Sequence, residues 1–94
     1  MHNPLILVTN DDGVQAPGVR ALHEAVGTLG RAVIVAPERD NSAVSHALTM
    51  NRPLRVVALE PDIYTLDGTP TDCVSIAVNK ILDRRPDLLV SGIN

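Results

Sequence analysis

A chain of 94 residues suffices for one domain at most, and an apolar content of 45% is that of a globular protein rather than a disordered one. The net charge of −3, with Arg84-Arg85 as the only basic pair, argues against duplex nucleic acid as a partner. The lone Cys73 permits no internal disulfide and fits a reducing compartment. The aliphatic runs are too short to span a bilayer, and Met1-His2-Asn3-Pro4 leads straight into an apolar run without a signal peptide. The expectation is a soluble cytoplasmic protein with no membrane partner. Tyr64 is the only aromatic residue, so the core must be built from Val, Leu, Ile and Ala, the usual filling of a parallel sheet.

Leu5-Ile6-Leu7-Val8 reads as a fully buried strand. Thr9-Asn10-Asp11-Asp12-Gly13 follows where that strand must end. A helix then starts near Ala16-Pro17-Gly18, with proline at its favoured first position. Val19, Leu22, Val26 and Leu29 form its apolar face, and Gly30 suits its stop. Arg31 to Ala36 is a second buried strand ended by Pro37. Strand, helix and strand make a βαβ unit, which predicts parallel strands joined by a right-handed crossover.

Glu38 to Ser45 is polar and turn-rich and leaves the carboxyl end of the second strand. Ala47-Leu48-Thr49-Met50 fits a short strand or a single helical turn. Leu54 to Leu59 and Ile63 to Leu66 read as a hairpin around Glu60-Pro61-Asp62. Thr69 as N-cap, Pro70 at N1 and Asp72 at N3 open a second helix with a capping-box variant. Val74, Ala77, Val78, Ile81 and Leu82 are its apolar face. Arg84 and Arg85 suit the negative end of its dipole, and Pro86 forbids continuation. Asp87 to Ser91 is the last strand, and Gly92-Ile93-Asn94 leaves its carboxyl end. The fold class expected is α/β, a Rossmann-like, mostly parallel sheet with flanking helices in three α/β/α layers. It is expected to be incomplete here, because two clear helices are few for covering both faces of a parallel sheet. Residues 1–94 are accordingly read as the N-terminal part of a single domain.

Three strand exits share one edge: Asp11-Asp12, the loop with Ser42 and Ser45, and Ser91 to Asn94. In open α/β sheets the ligand crevice lies beyond the carboxyl ends of the strands. Two adjacent carboxylates repel unless a cation or donors hold them, although Asp and Gly are also ordinary turn residues. The groups at the edge are carboxylates, hydroxyls and an amide carbonyl. That all-oxygen set disfavours zinc, copper and iron–sulfur, and suits Mg²⁺ or Mn²⁺ and less strongly Ca²⁺. Gly68 permits close backbone approach, and the amides that open the second helix attract phosphate; the same residues also serve simply to cap the helix.

Together Leu7-Val8-Thr9-Asn10-Asp11-Asp12-Gly13, Ala16-Pro17-Gly18, Ala36-Pro37-Glu38-Arg39, Ser42-Ala43-Val44-Ser45, Gly68-Thr69-Pro70-Thr71-Asp72-Cys73-Val74 and Ser91-Gly92-Ile93-Asn94 resemble, in order, the SurE family. These are stationary-phase survival proteins, metal-dependent 5′-nucleotidases with broad phosphomonoesterase activity. The resemblance implies one divalent ion held by Asp11, Asp12, Ser42 and Asn94, with Asp11 and Asp12 catalytic. It implies attack of a metal-bound water on the phosphorus of a nucleoside 5′-monophosphate. Asn10, Gly13, Gly68 and Thr69 become candidates for contacting phosphate or for holding the loops. The family is longer than this chain and continues into a phosphate loop, more sheet and an extension exchanged between subunits. A homo-oligomer, dimer or tetramer, is expected of the complete protein.

Other readings compete. Phosphatases with an Asp nucleophile place their acids as Asp-x-Asp, whereas here they are adjacent. A Mg²⁺-binding receiver-like signalling domain needs a further Asp at a later parallel-strand exit, and Asp62 and Asp67 flank a hairpin strand. A fragment that binds metal or nucleotide without turnover is a third. His46 is a weak candidate for a general base, Arg39 for a phosphate contact. His23 reads as surface, Cys73 as core, and Arg20 with Glu24 as a weak surface pair.

Overall fold

The computed structural model describes residues 3–39 and 55–93. The elements are β1 (Leu5–Thr9), α1 (Pro17–Val26), β2 (Arg31–Pro37), β3 (Val56–Glu60), β4 (Ile63–Leu66), α2 (Pro70–Ile76) and β5 (Leu88–Ser91), with a π-helical turn, Ala77–Ile81, continuing α2. The five strands form one sheet in the order β3-β4-β2-β1-β5. β1 is parallel to both neighbours, β2 and β5, and β2 is parallel to β4. Only β3 is antiparallel, paired with β4 across the tight connection at Pro61-Asp62. The α/β, mostly parallel fold read from the sequence is the fold observed.

Period-two alternation along β1 divides the core into two halves. Ile6 and Val8 face α1 and join Val14, Val19, Ile34 and Ala36, with Leu22 and Val26 against them. Leu5 and Leu7 face α2 and join Val33, Val35, Leu66, Cys73 and Ala77. Among the described residues one helix therefore covers each face, which is the three-layer arrangement. β1 and β2 are buried along nearly their whole length because both faces are covered. The outer strands are not: β3 is exposed throughout, and Leu88 and Leu89 of β5 are 46% and 49% exposed.

Several local expectations are corrected. α1 stops at Val26 with Gly27 as its C-cap, so Leu29 leaves the apolar face and is 62% exposed. Gly30 instead lies against the Pro4 carbonyl, where a Cβ would collide. Arg20 does not pair with Glu24: it donates to the Val14 carbonyl at 3.1 Å and to Glu60 at 3.2 Å. His23 is not simply a surface residue, since its Nε2 lies 2.8 Å from the Ala32 carbonyl and ties α1 to β2. Arg84 binds Asp87 and the Asn3 carbonyl rather than the end of α2. Asp87 also accepts from the Leu5 amide at 2.8 Å, so this cluster pins the starts of β1 and β5 at the edge opposite the carboxyl ends. The stretch 47–50 lies outside the described residues.

Candidate functional site at the carboxyl edge of the sheet

The chain leaves β1 toward β2 and later crosses, through α2, to the other side of β1. β1 and β5 are therefore the pair of neighbours at which the strand order reverses. A doubly wound sheet opens its ligand crevice outside the carboxyl ends of such a pair. Thr9-Asn10-Asp11-Asp12-Gly13 leaves one of the two strands and Gly92-Ile93 the other.

The exits of the parallel strands are tied to one another. The Gly92 amide donates to the Thr9 carbonyl at 3.0 Å, and the Val14 amide to the Pro37 carbonyl at 2.7 Å. The Glu38 amide donates to the Leu66 carbonyl at 3.1 Å, joining the ends of β2 and β4. At Gly18 a Cβ would run into the Ile93 carbonyl, so the first turn of α1 lies directly against the β5 exit. The residue that the sequence placed at the start of α1 as a small one is small because of that approach.

The diacid loop is shaped by the residues flanking it. Asn10 is fully buried, and its side-chain amide donates to the Gly13 carbonyl at 2.8 Å while accepting from the Gly13 amide at 3.2 Å. Gly13 has φ +109°, and a Cβ there would stand 2.9 Å from Cα of Arg39. Both conditions require glycine. Between these fixed points Asp11 is exposed and Asp12 half-buried. The two carboxylates thus sit on a loop whose ends are held, at the rim of the crevice.

Gly68 and Thr69 open α2. Gly68 is buried, and it is not among the positive-φ residues, so its smallness is not a matter of left-handed backbone. Thr69 accepts from the Asp72 amide at 3.1 Å, and Asp72 accepts from the Thr69 amide at 2.9 Å, the reciprocal capping box read from the sequence. Cys73 is fully buried, and burial, then the nearby Asp72, pushes its thiol up to about 12. It is a core residue.

Ser42, Ser45, His46 and Asn94 lie outside the described residues, so of the expected ligand set the structure places Asp11 and Asp12. Among the described residues no group of three or more His, Cys, Asp or Glu stands together. A pair of carboxylates at a strand end suits a hard divalent ion that takes its remaining ligands from other oxygens. Asp67 corrects one premise: β4 is parallel to β2, so Asp67 does leave a parallel strand on this same edge. It is nevertheless separated from β1 by β2, roughly 10 Å across the sheet at ordinary strand spacing. Sequence reading assigned no role to Thr9, whose buried hydroxyl has no hydrogen-bond partner among the described residues.

Comparison with known proteins agrees with this fold. The family model described as survival protein SurE matches residues 6–94. The 5′-nucleotidase SurE of Pelobacter propionicus is 58% identical over 89 residues, 95% of this chain and 36% of that protein. That of Geobacter metallireducens is 55% identical over 89 residues, 95% of this chain and 35% of the relative. The crystal structure of the SurE protein from Aquifex aeolicus superposes with a TM-score of 0.91 at 49% identity, over 97% of this chain and 38% of that one. The chain thus spans little more than a third of the length of these relatives. On its sequence, its sheet order and its diacid strand exit, the chain belongs to the SurE family.

Proposed function

We propose that this chain is the N-terminal, metal-holding part of a phosphomonoesterase domain that hydrolyses nucleoside 5′-monophosphates to nucleoside and phosphate. The observation that carries the reading is the pair Asp11-Asp12 on a braced loop at the β1/β5 reversal point, in a family whose relatives are named 5′-nucleotidases. Asp11 and Asp12, with Ser42 and Asn94, are the residues that would hold a single Mg²⁺ or Mn²⁺. Two carboxylates offset the ion's charge, and neutral oxygens leave room for water and substrate. Such an ion supplies a nucleophilic water and charge stabilisation on phosphoryl oxygens.

The chain's own residues have separable duties in this scheme. Asp11 and Asp12 provide the negative charge. Asn10, through its side-chain amide, and Gly13, through its backbone, hold the loop that carries them. Gly68 and Thr69 fix the turn that opens α2 beyond the β4 exit. Binding the ester in one orientation at this edge converts hydrolysis into an effectively unimolecular step. A homo-oligomer of the full-length protein in the cytoplasm completes the reading; among the described residues no helix is long and apolar enough to cross a membrane.

The test is phosphate release from a panel of nucleoside 5′-monophosphates and simple phosphate esters by the full-length protein. It is run after chelation and again with Mn²⁺ or Mg²⁺ restored. Release that vanishes with chelator and returns with metal supports the reading. A parallel incubation with acetyl phosphate addresses the receiver alternative, because a base-labile protein adduct would contradict hydrolysis as the function.

A further inference from the structure

Two threonines are buried near the carboxyl edge of the sheet, and their hydroxyls are treated differently. Thr65 of β4 is 5% exposed, and its Oγ1 donates to the Ala36 carbonyl at 2.9 Å. Thr9 of β1 is 3% exposed, and its Oγ1 meets no partner among the described residues. A buried hydroxyl left unpaired is destabilising, and valine, of nearly the same shape, would avoid that cost. A threonine at the last position of β1, next to the diacid loop, therefore points away from the fold and toward a ligand.

The surroundings say what kind of ligand. Alternation along β1 puts Thr9 on the α2 side, with Leu5 and Leu7. In the register of β1 and β5 its partner is Ser91. Val90 packs on the α1 side, so Ser91 also falls on the α2 side, and it is exposed. Two hydroxyl residues are thus neighbours across the seam at which the crevice opens. Asp11 and Asp12 at the rim are acceptors only when ionised. An anionic ester bound beside them needs donors, and Thr9 holds one not spent on the protein.

We propose that the Thr9 hydroxyl is a ligand-binding group, which donates its hydrogen bond to an anionic oxygen of a phosphoryl group seated in the β1/β5 crevice. The inference rests on the phosphomonoesterase reading. The hydroxyl is closed to solvent in this structure, so the bond forms with a local shift of the side chains around Thr9, while the Thr9 carbonyl keeps its bond to the Gly92 amide.

The experiment compares wild type, Thr9→Val and Thr9→Ser in the full-length protein with Mn²⁺ present. Inorganic phosphate is the probe, titrated calorimetrically and as an inhibitor of nucleotide hydrolysis; melting temperatures are measured in parallel. Thr9→Val should melt about 2–4 °C higher, because an unpaired hydroxyl is removed. It should also bind phosphate about tenfold or more weakly, the scale of a lost hydrogen bond to a charged oxygen. Thr9→Ser should keep wild-type phosphate affinity within about twofold while melting lower, because it keeps the hydroxyl and loses the methyl packing. Wild-type phosphate affinity in Thr9→Val overturns the inference, as does equal weakening in both variants or a lower melting temperature for Thr9→Val. Wild type that binds phosphate but releases none from nucleotides overturns the phosphomonoesterase reading instead, and the titrations of the variants still decide the role of Thr9.

Discussion

The side chain of Asn10 grips both backbone polar groups of Gly13, donating to its carbonyl at 2.8 Å and accepting from its amide at 3.2 Å. The two carboxylates between them are presented by a closed ring rather than a free turn. Asn10→Ala would leave the buried Gly13 amide without its acceptor, and the Gly13 carbonyl would keep only the Ala16 amide at 3.1 Å. The expected loss is about 1–3 kcal/mol of stability, with Mn²⁺ bound more weakly although Asp11 and Asp12 are intact. Asn10→Asp keeps the acceptor, loses the donor and adds a third carboxylate, so it should be at least as harmful at neutral pH. Thermal melts and Mn²⁺ calorimetry on both variants check this. Unchanged metal affinity in Asn10→Ala would show that the brace does not serve the diacid.

Gly13 carries two independent constraints, φ +109° and the backbone of Arg39 2.9 Å from where a Cβ would stand. Gly13→Ala should therefore cost about 1–3 kcal/mol from conformation alone, and more from the collision, since backbone cannot swing away as a side chain can. The loop would lift from the β2 exit, and metal affinity should fall together with the melting temperature. A Gly13→Ala protein that melts with wild type would contradict the geometry described for this loop.

Cys73 predicts an alkaline effect of definite sign. Its thiol is pushed from 9.0 to about 12 by burial and then by Asp72. Between those values the folded chain keeps a proton that the unfolded chain releases. Stability from this group is fully present below about pH 9 and is lost as pH rises, at about 1.4 kcal/mol per pH unit. Denaturant melts from pH 8 to 11 should show this decline, and Cys73→Ala should flatten it after its constant cavity cost is subtracted. The thiol should also resist alkylation at pH 8 until the chain unfolds.

Much of this architecture is legible locally. Apolar runs with no polar interruption mark β1 and β2 because both faces of those strands are covered. The Thr69–Asp72 box is visible because both partners lie within one turn. What the sequence hides is set by distance or by backbone detail. Arg20 finds Glu60 and Val14 rather than Glu24 because the end of β3 is brought beside α1 by the sheet. Leu29 fits the helical period, but the helix has already ended at Gly27. The π-helical turn after Ile76 has no signature in spacing, and Asp67 is seen on the site's edge only when β4 is found parallel to β2. At the site, adjacent acids advertise themselves, whereas a threonine matters through the partner it lacks, and that is invisible in one dimension.

The central claim is that Asp11 and Asp12 hold a divalent ion on which phosphomonoester hydrolysis depends. The most direct measurement is Mn²⁺ titration of the full-length protein and its Asp12→Asn variant, with phosphate release from a nucleoside 5′-monophosphate assayed on the same samples. Removing one of two carboxylates from a hard-cation site while relieving their repulsion should abolish both binding and turnover, with the fold unchanged by circular dichroism and the metal-free melting temperature no lower than wild type. Asp12→Asn turning over at the wild-type rate with Mn²⁺, or wild-type turnover that survives chelation, would contradict the account.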